Sequence, residues 1–301
     1  MRVLVTGSNG LLGQKLTRLL DREPGVELVA TGRGPSRLTL RRGVYTTLDV
    51  TREADIKATL DTHRPEVLIH TAAMTQVDQC ETEREECWSQ NVTAVDYLAK
   101  ACEVRGIHLI HLSTDFVFDG SDGPLDETAT PHPLSHYGES KLAAERLVQA
   151  LETPWTIVRT VLVYGVTKDQ SRSNIVLWVK NSLEAGKVIR VVNDQWRTPT
   201  LAEDLAMGCW LVAQKKATGI YHISGAEMMT PYDIALRTAE HFGLNQGLIR
   251  ETNSAEFRQP ARRPLKTGFI IEKAKKNLGY QPHSFREGLE LLGRQIKGVG
   301  D

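Results

Sequence analysis

The sequence carries no excess charge of either sign: 37 Lys and Arg stand against 37 Asp and Glu in 301 residues. A balanced chain has no global field to draw in nucleic acid or an anionic membrane surface, so neither is expected as a partner. Cysteine is scarce. The four present, Cys80, Cys87, Cys102 and Cys209, have no zinc-like or redox-like spacing. Three fall in helical patterns among apolar neighbours and read as buried free thiols of a reducing compartment. No apolar run is long enough to span a bilayer. No secretory leader fits either, because "MRVLVTG" enters a strand at once and meets glycine. These absences point to a cytoplasmic protein. No His, Cys and carboxylate cluster has catalytic-metal spacing, so no metal is expected. Internal repeats and low-complexity tracts are missing as well.

What is present in the first half is an alternation of short apolar runs and helical patterns. Buried strands are predicted at 2–6, 27–31, 66–70, 107–113 and 155–160, with a weaker one at 43–47. Helices are predicted between them at 11–21, 52–62, about 84–105 and 137–151. This rhythm implies an α/β fold with a doubly wound, parallel, Rossmann-type sheet. After about 165 the rhythm changes. Helices are predicted near 173–185, 202–214, 231–242 and from 285, strands at 188–192 and 220–224, and an extended segment around Pro260 and Pro264. The expected division is a dinucleotide-binding domain over 1–165 and a smaller α/β substrate lobe over 166–301, with some segments returning to the first domain. The cleft between them is the expected site.

"VLVTGSNGLLGQKL" (3–16) places Gly7, Gly10 and Gly13 between a strand and a helix. Gly7 suits a tight turn, Gly10 a close approach of backbone to pyrophosphate, and Gly13 close packing of the helix. The helix N-terminus then offers free N–H groups and a positive dipole end to phosphate. An acid at the end of the second strand would grip a ribose 2′-hydroxyl. Thr31 and Gly32 stand there instead, followed by Arg33 and Arg37. Planar guanidinium forks suit a 2′-phosphate. The cofactor expected is NADPH, with NADH the alternative. Asp49 either meets the adenine amino group or caps the next helix.

Three motifs together, "TGSNGLLG", "STDFVFDG" (113–120) and "YGESK" (137–141), resemble the extended short-chain dehydrogenase/reductase superfamily. The nearer resemblance is to the dTDP-4-dehydrorhamnose reductase family. It extends through "VDQCETEREECWSQNVTAVDYLAKAC" (77–102) and "NDQWRTPTLAEDLA" (193–206) to nearly the whole chain. The resemblance implies that Tyr137 protonates the sugar C4 oxygen. Lys141 would hold the nicotinamide ribose and lower the tyrosine pKa, and Thr114 would hydrogen-bond the substrate carbonyl. Helix geometry agrees, since positions i and i+4 share one face and an ammonium beside a phenol favours its ionised form. The cofactor contacts expected are Gly7, Asn9, Gly10, Leu11, Leu12, Gly13, Arg33, Arg37, Asp49, Val50, Thr71, Ala72, Ala73, Tyr137 and Lys141. Where the family often shows Asn-Ala-Ala after the fourth strand, this chain has "HTAA", with His70 and Thr71 at its start. His70 is given no catalytic role.

The substrate contacts expected are Asp115, Asn174, Gln195, Trp196 and Arg197. Asn174 either caps a helix or touches a pyrophosphate. Arg197 would pair with a nucleotide diphosphate and Trp196 pack on a sugar or base. Arg258, Arg262 and Arg263 offer a further diphosphate contact or a solvated basic loop. The reaction implied is reduction of a nucleotide-linked 4-keto-6-deoxysugar, with dTDP-4-dehydrorhamnose as substrate and a homodimer as the assembly. Two rivals stand. One is a nucleotide-sugar epimerase or dehydratase of the same superfamily, although Asp115 lacks the adjacent Glu a dehydratase needs. The other is a non-catalytic NADP-binding regulatory subunit, similar to the β subunit of methionine adenosyltransferase.

Overall fold

The computed structural model describes residues 1–167, 173–257 and 259–298. Its first half follows the predicted alternation: β1 (Arg2–Thr6), α1 (Leu11–Leu20), β2 (Glu27–Gly32), β3 (Val44–Thr47), α2 (Glu53–His63) and β4 (Val67–His70). Then come α3 (Val77–Thr82), α4 (Arg84–Trp88), a π-helical turn (Ser89–Thr93), α5 (Ala94–Arg105), β5 (His108–Thr114), α6 (His136–Gln149) and β6 (Trp155–Thr160). The second half adds β7 (Val163–Tyr164), α7 (Ile175–Glu184), β8 (Ile189–Val192), β9 (Thr200–Leu201) and α8 (Ala202–Gln214). It closes with β10 (Gly219–His222), α9 (Pro231–His241), β11 (Ile249–Thr252), α10 (Glu272–Leu278) and α11 (Phe285–Ile296).

Seven strands pair in parallel in the order β10-β6-β5-β4-β1-β2-β3. Both faces are covered, which is why the strands read as unbroken apolar runs. Val3, Val5 and Ile69 pack toward α1 and α8 with Leu16, Leu205 and Cys209. Leu4, Leu68 and Leu109 pack the other way, against Ile56, Leu98 and Ala144 of α2, α5 and α6. The chain order reverses between β1 and β4. Loops leaving the C-terminal ends of those strands therefore diverge and open a crevice, the usual ligand position in such sheets. The smaller cluster of Val179, Leu183, Ile189, Ala235 and Ile249 joins α7 and α9 to the parallel pair β8–β11.

Three features differ from the sequence expectation. The helix predicted over 84–105 is three pieces, because the π turn interrupts it and lets the Asn91 amide bond the backbone N–H and C=O of Met74. A short α3 precedes it and ends at Glu83, whose backbone leaves the helical region. The β11 and α10 segments gave no periodic signal and were not anticipated. All four cysteines are buried, as their neighbours implied. Among the described residues no helix is long and apolar enough to cross a membrane.

Candidate functional site

The crevice above β1 and β4 is a cleft of about 280 Å³. Gly7, Asn9, Gly10, Arg33, Arg37, Asp49, Val50, Thr71, Ala72 and Ala73 line it. The three glycines do different work. Gly7 has φ +69°, and a Cβ there would lie 2.7 Å from Ala72 N. A Cβ on Gly13 would lie 2.1 Å from Gly7 O, so α1 can start this close to the turn only without one. A Cβ on Gly10 would meet nothing but Gly7 O at 3.3 Å, so it would project into the cleft. Gly10 is also the N-cap of α1, with no capping side chain and no acid in the first turn. The N–H groups of Leu11, Leu12 and Gly13 thus form an uncompensated positive end. A glycine whose missing side chain leaves open space against free N–H groups fits a pyrophosphate.

Asn9 has a role the sequence did not reveal. Its amide donates to Pro35 O and Tyr45 Oη and accepts from Arg37 N, tying the 33–37 loop to the glycine turn. Tyr45 adds a bond to Gly34 O at 2.7 Å. The loop bearing both arginines is therefore held at the cleft wall from two sides. Asp49 neither caps α2 nor stands free. It accepts from the N–H and hydroxyl of Thr51 at 3.0 and 2.7 Å. The Thr71 hydroxyl donates to Thr6 O at 2.6 Å, so it braces the floor of the cleft.

The chemistry-bearing residues stand beside this cleft. Thr114 ends β5, and its hydroxyl donates to Asp115 Oδ1 at 3.1 Å and accepts from Phe116 N. Tyr137 opens α6, which Ser135 caps through a bond from Gly138 N. Gly138 lets the helix start against Phe116 O, where a Cβ would clash at 2.2 Å. The phenol ring is buried among Met74, Cys80, Cys87 and Phe116. Burial raises its pKa, and a hydrogen bond with Thr114 opposes the rise. The phenol is consequently protonated throughout the neutral range. Lys141 lies one turn further on, also buried, with Nζ 3.2 Å from Nε2 of His111. Burial brings the ammonium down to about 8. Burial of the phenol dominates, and the neighbouring Asp115 carboxylate adds to the rise.

The second lobe holds the remaining expected contacts. Arg197 is 4% exposed and does not face an open cleft. Its guanidinium donates to the carbonyls of Trp196, Leu265 and Pro264 and stands 3.4 Å from Asp115 Oδ2. Thr267 donates to the same carboxylate at 2.5 Å. Asp115 is thereby a clamp between β5 and the 196–198 and 264–267 segments, and it holds the Thr114 hydroxyl. Burial raises its pKa and Arg197 opposes that. Arg263 is likewise committed, to Asp78 of α3 at 2.7 and 3.0 Å. Asn174 caps α7 through Leu177 N and donates to Gly165 O at 2.7 Å. Gln195 is buried, and Trp196 is 40% exposed. Arg262 is exposed, and Arg258 lies outside the described residues.

With this geometry in view, the comparisons with known proteins are consistent. The RmlD substrate binding domain profile matches residues 1–297. The dTDP-4-dehydrorhamnose reductase of Aggregatibacter actinomycetemcomitans is 31% identical over 97% of this chain and 98% of that one. The methionine adenosyltransferase 2 subunit beta of Xenopus laevis is 34% identical over 83% of this chain and 74% of that one. The solved dTDP-4-dehydrorhamnose reductase of Bacillus anthracis, in complex with NADP, superposes with a TM-score of 0.84 at 28% identity, covering 98% and 99% of the two chains.

Proposed function

The chain belongs to the RmlD substrate binding domain family, the family of the dTDP-4-dehydrorhamnose reductases, and from that premise we propose that it reduces the C4 ketone of a nucleotide-linked 4-keto-6-deoxysugar with NADPH, converting dTDP-4-dehydrorhamnose to dTDP-rhamnose. It is an oxidoreductase of the dTDP-4-dehydrorhamnose reductase type. The observation that carries the substrate reading is the Thr114 hydroxyl meeting the Tyr137 phenol at the end of β5, with Lys141 one turn along the same helix and Tyr137 packed on Met74, next to the Thr71–Ala73 wall of the cleft. On this reading residues 1–165 bind the dinucleotide and 166–301 supply the substrate lobe, with β10 rejoining the sheet.

The bound reduced nicotinamide supplies the hydride. The residues supply position and the proton. The first turn of α1 receives the pyrophosphate. Arg33 and Arg37, at the cleft wall where an acid would favour NADH, receive the 2′-phosphate. Thr114 directs its hydroxyl at the ketone oxygen, with Asp115 fixing that hydroxyl from behind. Tyr137, protonated in its buried site, delivers its phenolic proton to the same oxygen as the C4 carbon is reduced. Lys141, an ammonium at neutral pH, stabilises the phenolate left behind and holds the nicotinamide ribose.

Tyr137→Phe removes the proton and little else. NADPH oxidation with dTDP-4-dehydrorhamnose should fall at least ~100-fold in kcat, the usual scale of a lost general acid. NADPH affinity, read by its fluorescence, should hold. Undiminished turnover would rule out the mechanism. The likeness to the Xenopus laevis subunit supports a second reading, a regulatory subunit for a partner enzyme. Co-purification with such a partner, with no reduction of any 4-keto sugar, would favour it.

A further inference from the structure

Below the proposed catalytic pair, one level of the sheet is polar where an apolar row is the rule. Thr6, His70 and His111 stand side by side on β1, β4 and β5, register partners on the face that α5 and α6 cover. All three are buried, and so is Lys141 above them. The Thr6 hydroxyl and His70 Nδ1 are 2.7 Å apart, the His70 and His111 rings stack at 5.5 Å, and His111 Nε2 meets Lys141 Nζ at 3.2 Å. An ammonium has three donors and no acceptor. The ring nitrogen it meets must therefore be bare, with the imidazole proton on Nδ1, an atom that has no partner among the described residues.

Resting on the role proposed above for Lys141, we propose that His111 is the positioning residue of the reaction: a neutral imidazole that accepts from Lys141, holds its ammonium under Tyr137 and keeps it charged. The other groups around that ammonium are Glu145 on its own helix, Cys80 and Cys87 on α3 and α4, His70 on β4 and Tyr137 itself. Glu145 is already engaged by Arg159 of β6, at 2.7 and 2.9 Å. His70 and His111 are both held neutral, chiefly by burial and further by the Lys141 charge. Among the described residues the ammonium donates no hydrogen bond other than that to His111.

An acceptor stabilises the charged form, so deleting it lowers the lysine pKa. In His111→Phe the Lys141 titration, followed by the ¹³Cε resonance of labelled lysine, should fall from about 8 by about one pH unit or more, the shift one hydrogen bond to a charged group produces. The alkaline limb of kcat should move down with it, and kcat at pH 7.5 should drop about threefold for a one-unit shift. His111→Gln, which restores an acceptor, should recover both. The unmutated protein gives a check that no misfolding can obscure: the ¹⁵N shifts of His111 should report the Nδ1–H tautomer. An Nε2–H tautomer, or an unmoved Lys141 titration in folded His111→Phe, overturns the inference while leaving the ketone reduction intact. The expected tautomer and shift, with no turnover of any 4-keto sugar by the unmutated protein, support the pairing and count instead against the reading of the site.

Discussion

Replacing Arg197 by Met keeps the length and apolar stem of the side chain and deletes its guanidinium. In the structure that group satisfies the carbonyls of Trp196, Leu265 and Pro264 and stands against Asp115. Both charges are nearly inaccessible, at 5% and 3% side-chain exposure. Removing one member of such a pair leaves the other uncompensated and costs about 3–5 kcal/mol. At about 2 °C per kcal/mol for a chain of this size, Arg197→Met should melt roughly 6–10 °C lower. Protonation of Asp115 limits the cost, because burial already raises its pKa. The loss should therefore shrink toward acid pH, and adding Asp115→Asn should recover part of it. Because Asp115 also holds the Thr114 hydroxyl, kcat should fall along with stability. Thermal unfolding by circular dichroism and NADPH oxidation measure the two effects. A variant that melts like the parent and only raises KM for the nucleotide sugar would refute the reasoning. It would put Arg197 in the open cleft, on the substrate diphosphate.

The glycine turn makes a paired prediction. Gly13→Ala forces a Cβ onto the backbone of Gly7 and should lower stability by about 1–3 kcal/mol as well as weaken NADPH binding, whereas Gly10→Ala, whose Cβ meets only Gly7 O at 3.3 Å, should fold normally and lose NADPH affinity alone. Thermal melts beside fluorescence titrations separate them, and equal behaviour of the two would contradict the turn's geometry. Arg33→Ala should raise the Kd for NADPH about tenfold and leave NADH binding nearly unchanged, on the strength of one charge-assisted bond. A parallel loss for both cofactors would move the 2′-phosphate elsewhere.

Local pattern made most of the first half legible. The runs at 2–6 and 155–160 coincide with β1 and β6, and others differ by a residue or two, because a strand buried on both faces leaves an unbroken apolar signature. The glycine triplet was legible for a similar reason: the positive φ of Gly7 and the contacts of Gly10 and Gly13 with the Gly7 backbone all lie within ten residues of chain, although Gly7 also clears the backbone of Ala72. The π turn and α10 were not, since one is a hydrogen-bond shift within a helix and the other is seven residues held by packing.

The second lobe shows where pattern stops. An arginine beside a tryptophan in a loop reads the same whether it faces solvent, a diphosphate or a buried carboxylate. Its environment is set by Asp115 and Pro264, 82 and 67 residues away in the chain. His70 and His111 were two unrelated histidines in the sequence, 41 residues apart. Parallel pairing of β4 with β5 stacks them, and the seat of α6 lowers Lys141 onto one of them. The sequence by itself determined the sheet, the phosphate turn and the Tyr137–Lys141 spacing, because short-range sterics and helix period decide those. Only the tertiary structure decided which charges are spent inside the protein, because burial and partnership depend on what distant strands bring alongside.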